Sequence, residues 1–111
     1  MSSSVLIKAG FIGLLILAVA IEVLADIFFK RWVIEEKNAW FIIGMVIYVI
    51  GTCFWAFSLK YDYLSKAASI FNILNLIALV LVGVVLFKED LSLANKIGIG
   101  LGILSVLLLE L

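Results

Sequence analysis

AGFIGLLILAVAIEVLADIFF, residues 9–29, decides the fold, because it runs for a whole membrane width with only two charged side chains, Glu22 and Asp26. At about 1.5 Å per residue, a helix of this length crosses roughly 30 Å of hydrocarbon. An ionised acid at that depth costs on the order of 3 kcal/mol, so a membrane protein that keeps one is expected to use it. Glu22 is the deep member of the pair, and the chain contains no histidine to share its chemistry.

Two further stretches have the same character, Ala39 to Leu59 and Ala67 to Phe87, and a shorter one, Ile97 to Leu109, is extended by Leu91 to Asn95 if Lys96 snorkels to the headgroups. With 67% of its 111 residues hydrophobic, the chain is too apolar for a soluble domain. The expected fold is an all-α integral membrane protein with four transmembrane helices, near 9–29, 39–59, 67–87 and 92–110, forming a single domain over 1–111. Trp32, Trp40, Tyr61 and Tyr63 fall in or beside the connections, where amphipathic aromatics sit at the interface. Lys8, the apolar run and Ala18-Val19-Ala20 also resemble a signal peptide with its cleavage site. The apolar character continues past that site, so an uncleaved first helix is expected. Cys53 is alone mid-span and reads as a small packing residue.

With four crossings, Lys8, Lys60 and Lys66 lie on one side, and Lys30, Arg31, Lys37, Lys88 and Lys96 on the other. Three against five is a weak bias under the positive-inside rule and permits insertion both ways. Four helices of this length rarely enclose a pathway by themselves, so a dimer is expected. If both orientations occur, the dimer is antiparallel and obtains inverted symmetry from one sequence.

Glu22, Asp26 and Lys30 fall at i, i+4 and i+8 and are expected to lie along one face of the first helix. Asp26 either joins Glu22 at a cation site or pairs with Lys30 near the interface. On the third helix Ser65, Ser69, Asn72 and Asn75 form a polar stripe beside Ala68 and Phe71. It either bonds across helices, at about 0.6 kcal/mol per pair, or faces the same cavity as Glu22. On the second helix Tyr48, Thr52 and Trp55 share a face, where a phenol and an indole either wall a cation site or simply pack. Gly98, Gly100, Gly102 and Ser105 on the fourth helix are small enough for close helix association. There is no phosphate loop, zinc-type spacing or familiar catalytic arrangement. No enzyme, cofactor or metal is expected, and a formal net charge of zero gives nucleic acid no footing.

Ala20-Ile21-Glu22-Val23, with Lys30 eight residues past the glutamate, resembles the signature of the small multidrug resistance family within the drug/metabolite transporter superfamily. The resemblance extends along essentially the whole chain. It implies that Glu22 is the essential membrane-embedded glutamate, Tyr48 the second-helix tyrosine, Phe87 to Leu91 the loop after the third helix, and Gly98, Gly102 and Ser105 the dimerisation face. It also implies an antiparallel dimer in a prokaryotic inner membrane that exchanges protons for a cation by alternating access.

Several positions depart from the family pattern. Ala68 and Phe71 stand where a substrate-facing tyrosine and tryptophan are usual, Ile73 and Asn75 replace helix-bending glycines, and no proline precedes the third helix. Asp26 replaces a small or uncharged residue. Fewer large aromatics and more negative charge suit a small or multiply charged cation, such as a polyamine or guanidinium compound, better than a flat dye. The expected site is therefore Glu22, Asp26, Tyr48, Ser69, Phe71, Asn72 and Asn75, in contact with a cationic substrate, protons and the surrounding bilayer. The competing expectation is a subunit of a heteromeric transporter, paired with a paralogous chain, or of a lipid-linked sugar carrier. A carrier of phosphorylated lipid needs deep cationic groups, whereas the deep charge here is anionic.

Overall fold

The computed structural model describes residues 3–110, which form four helices: α1 (Ser3–Glu35), α2 (Asn38–Ser58), α3 (Leu64–Val85) and α4 (Leu93–Glu110). The first three are long and apolar enough to cross a membrane, and α4 carries a shorter apolar stretch over Leu93–Ser105. The molecule is turned inside out relative to a soluble protein, with Ile16, Leu24, Ile42, Val46, Leu81 and Leu101 among its exposed apolar side chains. Lipid tails, not a core, receive such residues. The chain divides into two compact units, Met1–Tyr63 and Leu64–Leu111.

In the first unit α1 runs well beyond the uncharged stretch 9–29. Its 33 residues span about 50 Å, more than the hydrocarbon needs. Charges mark where the lipid ends, but the backbone ladder continues until something breaks it. The break is Glu36, at φ 55°, whose N–H donates to Trp32 O at 2.8 Å. This is the left-handed helix exit usually given to glycine. Lys37 then adopts an extended conformation ahead of α2, so two residues reverse the chain. The turn is held by stacking of Phe28 on Trp40 (5.4 Å between centroids), by Trp32 against Phe41 (4.8 Å) and by the Arg31 guanidinium 5.5 Å over Trp40. Each such ring contact contributes about 0.5–1.5 kcal/mol.

The hairpin packs along a seam. Phe11, Leu15, Ala18, Glu22 and Ala25 are buried on α1 at alternating steps of four and three, and Phe29 and Trp32 continue the series into the ring contacts. The buried residues of α2 are Gly44, Gly51 and Ser58, seven apart. This period of 3.5 is that of a coiled coil, and the small residues on α2 let α1 approach closely. A Cβ at Gly44 would lie 2.8 Å from the Phe29 ring, and one at Gly51 would lie 2.7 Å from Glu22 Cγ. Cys53, expected to pack, is instead exposed. Two residues past Gly51, it sits about 200° around the helix from the seam.

The second unit is the pair α3 and α4. The chain leaves α3 through Lys88, at φ 52°, while Glu89 N–H donates to Gly83 O at 3.0 Å and the Glu89 carboxylate folds against Gly83. Ser92 caps α4, its hydroxyl accepting the Asn95 N–H at 3.1 Å. Replacing it with alanine is expected to cost about 1 kcal/mol, measured by reversible unfolding in mixed micelles. Leu76 reaches within 4.0 Å of the Cβ position of Gly102, whereas Gly98 and Gly100 would meet nothing within 4 Å. The small face of α4 is left open.

Candidate functional site

Glu22 is 8% exposed, at a seam position of α1 that a coiled coil normally gives to an apolar side chain. Two features of α2 receive it. Gly51 leaves the space against which its Cγ lies, and Thr52 brings a hydroxyl to 3.3 Å from its Oε1. The same Thr52 hydroxyl is 2.9 Å from the carbonyl oxygen of Tyr48, one turn back. A threonine hydroxyl has one proton to donate, so it serves one of these oxygens at a time. The buried carboxylate thus has one adjustable donor and a glycine floor.

Tyr48, one turn before Thr52 on α2, is 43% exposed, and its ring centroid lies 6.4 Å from that of Phe29. Asp26 is partly buried one turn along α1, and Lys30 is exposed. The three charged residues do not share one environment, because each step of four residues turns a helix by about 40° off the previous position. By Lys30 the side chain has rotated out of the seam that holds Glu22. Trp55 is half-buried, and its backbone carbonyl accepts the Ser58 hydroxyl at 2.6 Å.

The other expected site residues belong to the second unit. Ser69 donates to the Ser65 carbonyl at 2.8 Å, so its hydroxyl is engaged within its own helix. Phe71 is half-buried and Asn72 exposed. Asn75 Oδ1 is buried with no hydrogen-bond donor among the described residues. On α4, Gly98 and Ser105 are exposed and Gly102 is half-buried. No group of three or more metal-binding side chains occurs among the described residues.

Sequence reasoning placed Thr52 on the Tyr48 face without linking it to Glu22, and it passed over Gly51. The available signal was the repeat of small residues at Gly44, Gly51 and Ser58, which marks the face of α2 that meets α1.

In comparison with known proteins, the family model described as Small Multidrug Resistance protein matches residues 9–102. No curated protein and no solved structure matched.

Proposed function

Because the chain belongs to the small multidrug resistance family, a family of multi-pass membrane transporters, we propose that it exports small or multiply charged organic cations in exchange for protons. Glu22 is the shared site, binding a proton or a cation in turn. Competition for one carboxylate couples the two flows, and alternating access carries each occupant across. The substrates are polyamine, guanidinium or quaternary ammonium compounds, and the membrane is the inner membrane of a prokaryote. All four helices serve as one transport domain. Asp26 and Tyr48, on the same helix pair as Glu22, contribute further contacts to the cation.

The observation that carries this reading is a carboxylate 8% exposed on a helix seam, with a glycine and a single hydroxyl against it. A structural seam would be cheaper with leucine there. The open face of α4, with Gly98 and Ser105 exposed, supports association with a second copy, antiparallel to the first, or with a paralogous chain; Gly102, half-buried against Leu76, flanks that face.

The test is proton flux in liposomes holding the purified chain alone, driven by gradients of guanidinium, spermidine and a quaternary ammonium dye. Flux with the first two, and less with the dye, is expected. Preference for the dye overturns the substrate assignment, and silence from the folded chain points to a paralogous partner or to another cargo.

Asp26→Asn is expected to narrow the range, weakening spermidine about tenfold relative to guanidinium, because a long cation loses its second anionic contact. Unchanged ratios would favour a plain ion pair with Lys30.

A further inference from the structure

We propose that Thr52 is a positioning residue that lets Glu22 change between its proton-bound and cation-bound states without leaving a buried polar group unpaired. The inference rests on the reading of Glu22 as the exchange site and concerns how that site tolerates both occupants.

The Thr52 hydroxyl has two acceptors within reach, Glu22 Oε1 at 3.3 Å and Tyr48 O at 2.9 Å. The Tyr48 carbonyl already accepts a backbone N–H within α2, so the hydroxyl bond to it is a second one and cheap to give up. Glu22 is in the opposite position. It is buried, and bulk water does not replace a lost partner.

When Glu22 carries its proton, its O–H donates to a lone pair of Thr52 Oγ1, while the threonine proton points to Tyr48 O. Both hydrogens are then used. When the proton leaves and a cation arrives, the threonine C–O bond rotates and the hydroxyl donates to the carboxylate. Thr52 keeps its own proton throughout and changes only its direction. The Glu22 proton departs to water as the cation replaces it.

Gly51 makes the rotation useful. Without a Cβ at that position, the carboxylate lies close enough to α2 for the hydroxyl of the next residue to reach it. The deep acid therefore meets a donor that adapts, where a fixed N–H would favour the ionised form alone. A valine of the same shape would leave the ionised form with one partner fewer.

The experiment compares wild type, Thr52→Val, Thr52→Ala and Thr52→Ser in liposomes, with kcat and KM for guanidinium measured separately. The infrared C=O stretch of protonated Glu22 is read on the same samples and identified by its loss in Glu22→Gln. Removing a hydrogen bond to a charged group predicts a drop of about 10- to 100-fold in kcat/KM for the valine and alanine variants. Serine restores it to within about threefold. The C=O band moves to higher wavenumber in Thr52→Val and Thr52→Ala and returns in Thr52→Ser. Alanine adds no bulk, so the test stands if valine perturbs folding.

Wild-type exchange and an unmoved band in the hydroxyl-free variants would overturn the role. So would a serine variant as impaired as valine, which would assign Thr52 to packing. If Glu22→Gln keeps coupled exchange, the reading of the site fails and this inference with it. If Glu22→Gln is silent while Thr52→Ala behaves as wild type, only the threonine's role fails.

Discussion

Glu22→Gln abolishes proton-coupled exchange, bringing flux in liposomes to that of protein-free vesicles, while the protein stays folded. An amide has nearly the shape and polarity of a protonated carboxyl, and its oxygen can still accept from Thr52. The seam therefore keeps its packing and its hydrogen bond. What is lost is the ability to release a proton and present a negative charge, and no neighbouring group on the α1–α2 seam supplies both. Asp26 lies a turn away and outside the position against Gly51. Retained coupled transport in the glutamine variant would sink the assignment of Glu22. Loss of both folding and flux would place it among structural residues.

Gly51→Val should damage both the helix pair and transport. The first added carbon meets Glu22 Cγ at 2.7 Å and Ile21 Cγ2 at 3.1 Å, and the branches of valine go further into the same space. Either the helices part or Glu22 leaves its place. Overpacking of this kind costs about 1–3 kcal/mol of stability. A reacting group misplaced by about 1 Å can lose on the order of a hundredfold in rate. Gly51→Ala is expected to show the same direction at smaller size. Gly98→Ala is the control, since its added carbon meets nothing within 4 Å in the chain itself. It should leave folding of the single chain unchanged and weaken self-association if α4 forms the contact between copies. Equal effects at Gly51 and Gly98 on folding of the isolated chain would refute the seam as the origin of the sensitivity.

The membrane class and the four helices are legible in the sequence because charge clusters separate apolar runs of bilayer length, and the family follows from the local context of Glu22 and the match over 9–102. Helix ends were less legible. Lys30, Arg31 and Glu35 look like a boundary, yet they only leave the lipid, and the ladder runs on to a left-handed Glu36 that no residue type announces.

The packing face was hidden for a related reason. Charges at steps of four draw the eye to 22, 26 and 30, whereas contact between two helices follows steps of four and three, through 18, 22, 25 and 29. Thr52 could be put on a face with Tyr48 from spacing alone. Its reach to Glu22 depends on the register of α1 against α2, which the two-residue turn at Glu36 and Lys37 fixes.

That register also sets how far the site lies through the electric field. Lys30, where α1 leaves the lipid, is eight residues past Glu22, so the carboxylate sits about 12 Å, or about 40% of a roughly 30 Å core, in from the side of the connection at Glu36. A full crossing is worth about 2.3 kcal/mol per unit charge at 100 mV. An ion reaching Glu22 from the connection side thus traverses about 40% of the potential, about 0.9 kcal/mol, and from the other end about 1.4 kcal/mol. Loading and unloading are then unequally sensitive to voltage in a single chain, and an antiparallel pair would cancel the difference by holding its two carboxylates at mirrored depths.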